Sequence, residues 1–122
     1  MSSPAQPSDF IPIAKTTQLK DGAMIEARAG DREILLARVG KQYYAADNIC
    51  PHMGARLALG TLQGTVVTCP RHRSKFDLKD GRIIRWTDWT GIKASVSKLF
   101  RSPRPLSVHA VKVSGDDILV KL

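Results

Sequence analysis

The chain has 122 residues, the length of one domain with one buried core, and its 43% hydrophobic and 25% charged content separates it from disordered chains. Nineteen Lys and Arg against eleven Asp and Glu leave a net charge of +8, so its surface favours an acidic partner, be it protein, nucleic acid or an anionic membrane face. No apolar run reaches the roughly 20 residues of a membrane-spanning helix, and the Ser/Pro-rich start from Met1 to Asp9 lacks the basic and apolar regions of a secretory leader.

Met1 to Asp9 reads as a flexible tail and residues 10–122 as a single domain. Short β-type runs follow at Phe10 to Ala14, Ala23 to Ala29, Glu33 to Val39 and Gln42 to Ala46, with Gly30-Asp31 and Gly40-Lys41 as turns. Met24, Glu26 and Arg28 alternate with Ile25, Ala27 and Ala29 in the period of two of a half-buried strand. Further strands are predicted at Thr65 to Thr68, Lys75 to Leu78 and Arg82 to Trp86, the last two joined by the tight-turn signal Asp80-Gly81. Ser107 to Val113 and Ile118 to Leu122 form a final hairpin around Gly115-Asp116-Asp117. Many short strands with Gly and Pro punctuation predict an all-β sandwich or barrel.

One stretch breaks the rhythm. Between Thr87 and Ser102, Trp89, Ile92, Val96, Leu99 and Phe100 recur at spacings of three and four, which predicts a short amphipathic helix near 88–101 ended by Pro103 and Pro105. Its apolar face packs on the sheet, with Trp86 and Trp89 filling the contact, or serves as a docking element flanked by Lys and Arg.

The chemistry concentrates in two compact pairs, Cys50-Pro51-His52 and Cys69-Pro70-Arg71-His72, separated by sixteen residues. Thiolate and imidazole both ligate borderline metals, and each pair follows a β-type run, where a loop can present side chains to one point. Tetrahedral zinc accepts the same ligand types, and a basic zinc module binding nucleic acid is a competing reading; zinc-finger spacing, however, groups Cys with Cys and His with His. A mixed pair from each loop suits a two-iron cluster with Cys50 and Cys69 on one iron and His52 and His72 on the other. Since both cysteines are then ligands, none remains for a structural disulfide, which suits a reducing compartment and makes the cytoplasm the expected location.

Cys50-Pro51-His52-Met53-Gly54-Ala55 and Cys69-Pro70-Arg71-His72, with Ser74 and Phe76-Asp77 after them, resemble the two signature loops of Rieske ferredoxins. The resemblance extends over Ala23 to Trp86, the Asp80-Gly81-Arg82 turn and Pro105 to Leu122. It implies the Rieske fold, an antiparallel β-sandwich with a small cluster-binding subdomain at about residues 48–77, holding one [2Fe–2S] cluster per chain. Two departures stand out. Arg73 occupies the position where family members usually have Gly, so either its backbone is strained or the loop turns differently. The Thr87 to Ser102 stretch exceeds the short link usual in the family and looks like an insertion.

The resemblance also places Ser74 where high-potential relatives have a Ser bonding a bridging sulfide, and Phe76 where they have a Tyr bonding a ligand sulfur; with no Cys pair to bridge the loops, a low to intermediate potential is implied. Arg56, Arg71, Arg73 and Lys75 lie in or beside the loops, where they stabilise the reduced, anionic cluster and offer docking charge to acidic redox partners. His109, in a strand beside Val108 and Val111, reads as a surface or core-edge histidine, not a fifth ligand. No nucleophile with a partnered base, phosphate loop or mononuclear iron site is evident, so the chain reads as an electron carrier and not as an enzyme. Its expected partners are a reductase and a terminal redox enzyme such as a Rieske oxygenase, with a fixed small subunit of a nitrite-reductase-like assembly as the alternative. Ligand order and the lack of aromatic interleaving argue against nucleic acid as a partner, and peripheral membrane contact is disfavoured.

Overall fold

The computed structural model describes residues 10–50, 54–71, 73–85 and 104–122. These form ten strands: β1 (Ile11–Lys15), β2 (Met24–Ala29), β3 (Arg32–Val39), β4 (Gln42–Asp47), β5 (Thr61–Gln63), β6 (Val66–Thr68), β7 (Lys75–Asp77), β8 (Ile83–Arg85), β9 (Val108–Ser114) and β10 (Asp117–Lys121). Short 3-10 turns occupy Thr16–Gln18 and Leu57–Leu59. The predicted runs match strands to within one or two residues; β5 has no counterpart among them, because Thr61–Gln63 is too short to show alternation. The N-terminal tail and the predicted 88–101 helix lie outside the described residues. Among the described residues no helix is long and apolar enough to cross a membrane.

All strand pairs are antiparallel, in a six-stranded sheet of order β1-β10-β9-β4-β3-β2 and a four-stranded sheet of order β5-β6-β7-β8. Pro12 sits on the edge strand β1, where its missing N–H costs no ladder bond, and a register shift follows it. The edge strands β1 and β2 approach each other, so the large sheet curls around its own core.

The run Ile34-Leu35-Leu36-Ala37 in β3 is buried throughout, with its alternate residues divided between two cores. Ile34 and Leu36 point into the curl with Leu19, Ala45, Ile118 and Val120. Leu35 and Ala37 face the other way, with Ala46, against Leu57, Val67, Phe76, Leu78 and Leu106. Each fully buried large side chain contributes about 1.5–3 kcal/mol. The second core therefore fastens the four-stranded sheet to the back of β3 and β4, and Cys50 and Cys69 belong to it.

Two close backbone approaches fix that attachment. A Cβ at Gly60 would stand 1.9 Å from the Thr68 carbonyl oxygen, and one at Gly81 would stand 2.0 Å from the Leu106 carbonyl oxygen. Gly81 has a φ of 82°, and its carbonyl accepts the Leu106 N–H at 2.8 Å. Asp77 anchors the same turn: one carboxylate oxygen accepts from Thr65 Oγ1 at 2.9 Å and from the Lys79 N–H at 3.0 Å, and the other lies 3.3 Å from Arg82. Burial pushes this carboxyl up, but the Lys79 amide, the Thr65 hydroxyl and the charges of Lys79 and Arg82 outweigh it and hold the group below its ordinary value.

A folded pKa below the unfolded one gives stability that is present above the unfolded value and lost as pH falls through the folded one. Unfolding midpoints therefore drop as pH falls below about 4, and Asp77→Asn, which cannot ionise, flattens that slope. Gly60→Ala lowers stability by about 2 kcal/mol, because the backbone oxygen of Thr68 has to move; Gly64→Ala, with open space around it, loses only about 1 kcal/mol from its positive φ. Urea denaturation of the three variants measures both effects.

Candidate metal centre

Strand β4 ends at Asp47, and the chain then makes a single bridge between Ile49 and Arg56 that brackets the first loop. The Cys50 N–H donates to the Ala55 carbonyl at 2.7 Å and the Gly54 N–H donates to the Cys50 carbonyl at 2.9 Å, closing the loop at its base. The second loop leaves β6 at Thr68 and is closed by the Cys69 N–H donating to the Ser74 carbonyl at 2.8 Å. Cys50 and Cys69 are each about 1% exposed. His52 and His72 lie outside the described residues, and among the described residues no group of three or more metal-binding side chains forms.

What is described fits the implied cluster. Two thiols reach one solvent-excluded core from two closed loops, each loop continues into a histidine in sequence, and the apolar lining of Leu57, Val67 and Phe76 supplies the dry surround in which iron–sulfur ligation is tuned. Cys50 and Cys69 would hold one iron and His52 and His72 the other.

Ser74 is fully buried at the base of the second loop. Phe76 is fully buried in the same core as both cysteines and has no hydroxyl to give to a sulfur. Arg73 has a φ of 61°, the one positive φ outside glycine among the described residues. The loop thus keeps the left-handed turn that glycine would adopt freely, at about 1–2 kcal/mol for the arginine. Arg85 braces it, with Nε and a terminal guanidinium nitrogen each 3.3 Å from the Arg73 carbonyl oxygen.

The four expected docking cations are placed unequally. Arg71 and Arg73 are exposed on the second loop, and Lys75 is half-buried at the start of β7. Arg56 is committed to a two-pronged pair with Glu26, at 2.8 and 2.9 Å, with Glu33 at 4.0 Å. Half exposed, that pair adds under about 1 kcal/mol, but it aims the loop end at β2. His109 stands at the core edge as expected, Nε2 2.9 Å from Asp47 Oδ1, an oxygen that Arg32 also contacts at 2.9 Å.

Asn48 was not singled out from sequence, and it organises the first loop. Fully buried, it accepts the Ala58 N–H on Oδ1 at 2.9 Å and donates Nδ2 to Glu26 at 2.8 Å. Its backbone accepts the Leu57 N–H at 2.7 Å and donates to the Glu33 carbonyl at 3.1 Å. A polar residue directly after a strand and two before the candidate ligand Cys50 is the available signal.

The description "Rieske [2Fe-2S] domain" belongs to a family model that matches residues 9–95. The ferredoxin component of biphenyl 2,3-dioxygenase from Rhodococcus jostii (strain RHA1) is 30% identical over 110 residues, 90% of each chain. The ferredoxin of carbazole 1,9a-dioxygenase from Nocardioides aromaticivorans IC177 superimposes with a TM-score of 0.73 at 26% identity, covering 92% of this chain and 96% of its own. A complex of reduced oxygenase and oxidized ferredoxin in carbazole 1,9a-dioxygenase matches with a TM-score of 0.71 at 26% identity, covering 92% of both chains.

Asn48→Ala leaves the part-buried Ala58 N–H without its side-chain acceptor, at about 1 kcal/mol. Iron release to a chelator then runs faster than in the unchanged protein. Asn48→Asp keeps that acceptor but replaces the Nδ2 donor to Glu26 by a carboxylate oxygen, so at neutral pH its iron release is also faster than in the unchanged protein.

Proposed function

The chain belongs to the Rieske [2Fe–2S] domain family, and from that premise we propose that it carries single electrons from a reductase to a terminal oxygenase. The observation that carries this reading is the burial of Cys50 and Cys69 in one core at the bases of two closed loops. When bound, a Rieske cluster supplies one-electron chemistry at a potential that its surroundings set. The protein's part is to hold it: Cys50, His52, Cys69 and His72 ligate, while the apolar core keeps water from the thiolates.

Support for the partner class comes from relatives named as ferredoxin components of dioxygenase systems, and from a matching structure in which a ferredoxin is bound to its oxygenase. Arg71, Arg73 and Lys75 give the second loop a positive character that steers an acidic surface toward it, while the charge of Arg56 is taken up by Glu26 and Glu33. Residues 10–122 act as one domain in this reading, and the use of both cysteines as ligands supports a cytoplasmic setting.

Phe76 sets the potential low. Its side chain is buried in the core that also holds both cysteines and has no hydroxyl to donate, whereas a hydroxyl there would stabilise the reduced state. A redox titration of the iron-loaded protein gives a midpoint in the lower half of the roughly −150 to +300 mV range of Rieske centres. Phe76→Tyr raises it by ~40 mV, the equivalent of about 1 kcal/mol for one hydrogen bond and one electron. For the carrier function itself, the dithionite-reduced protein is mixed with an oxidised Rieske oxygenase in a stopped-flow spectrometer. Reoxidation of the carrier with matching reduction of the oxygenase is expected. A carrier that stays reduced in the presence of every such oxygenase tried contradicts the reading.

A further inference from the structure

We propose that the outer face of the four-stranded sheet is a carboxylate-binding surface that seats an acidic segment of the redox partner, beside Cys69 and not only at the loop tips. The proposal rests on the carrier reading and adds where the partner lies.

The strand register builds this face. Thr61 opposes Thr68, Thr68 opposes Lys75 and Lys75 opposes Arg85, so one row crosses all four strands. The neighbouring row, Leu62, Val67, Phe76 and Ile83, turns the opposite way into the core. Thr61, Thr68, Lys75 and Arg85 line a groove of about 450 Å³ with Arg73 and Cys69.

Arg85 reaches that row through an irregularity. Phe76 pairs with Ile83, yet Lys75 pairs with Arg85, so Ile84 is an extra residue in β8. With regular pairing Ile84 would oppose Lys75, and Arg85 would fall in phase with the core-facing Ile83. The extra residue re-aims Arg85 to the outer face. It sets two cations directly opposite one another, an arrangement that destabilises a bare sheet and that an anion between them relieves.

Among the described residues, no carboxylate lines the groove. The nearest one in register is Asp77, two residues along β7, and it is buried in contacts with Thr65, Lys79 and Arg82. Thr61 and Thr68 add hydroxyl donors along the row, which suits the extended spacing of carboxylates on a peptide segment.

The test uses the oxidised, cluster-loaded protein and a fluorescein-labelled hexaglutamate peptide, followed by anisotropy at about 0.02 M ionic strength, where surface charge is least screened. The double variant Lys75→Ser/Arg85→Ser is compared with Lys20→Ser/Lys41→Ser, which removes the same formal charge from exposed turns elsewhere. Binding weakened about tenfold or more by the first pair, and about twofold or less by the second, is the expected result. Equal weakening by both pairs overturns the proposal in favour of net charge alone, as does absence of peptide binding to the unchanged protein. A single-stranded oligonucleotide is titrated in parallel; a loss confined to the oligonucleotide also overturns it, since the face would then read phosphates. If the double variant does not retain its cluster, Lys75→Ser alone weakens the peptide several-fold while Arg85→Lys, which keeps the charge, does not. Reoxidation by an oxygenase is measured on the unchanged protein, so the carrier reading stands or falls separately from this surface.

Discussion

The strand pair β3–β4 is buried on both faces, and the rest of the molecule follows from that constraint. Ile34, Leu36 and Ala45 close the curled sheet, while Leu35, Ala37 and Ala46 are left on its back and require a second cover. The four-stranded sheet supplies it, through Val67 and Phe76. Because the strand period is two, a slip of one residue in β3 would exchange the two faces and detach the cover from its support. The cysteines sit inside this second core, so the fold's packing and the proposed metal site share one set of contacts.

That sharing explains how two short loops can hold ligands without long elements behind them. Each loop is closed at its base by backbone hydrogen bonds, and each is then tied to the large sheet or to a neighbouring strand. Asn48 connects the first loop to β2, β3 and the Leu57–Leu59 turn, while Arg85 grips the carbonyl of Arg73 in the second. Arg73 bears a backbone conformation that glycine adopts more readily, and in return places a cation next to Cys69. Here local backbone strain and surface charge come from the same residue.

Much of this was legible in the sequence. Nine strands showed in the alternation and turn residues, and the four proposed ligands stand out by their spacing, because both signals are local; of the four, Cys50 and Cys69 lie among the described residues. Asn48, Glu26 and Arg85 were not legible, since their roles depend on which strands become neighbours. Arg85 in particular gains its place only from the extra residue Ile84, which changes its phase and leaves no trace in composition. By sequence Arg56 is docking charge near the loop, and the structure pairs it with Glu26 and Glu33 from strands some thirty and twenty-three positions earlier, a partnership that sequence separation hides. The stretch from Thr87 to Ser102 carries a helical period in sequence and lies outside the described residues.

In the proposed centre each loop gives one thiolate and one imidazole to a single pair of irons. Pulsed hyperfine spectroscopy of the reduced protein, made with nitrogen-15-labelled histidine, tests this most directly. Two histidine nitrogens coupled to the centre are expected, with iron and acid-labile sulfide each close to two per chain. A colourless zinc-loaded protein, or an iron centre without histidine coupling, would contradict it.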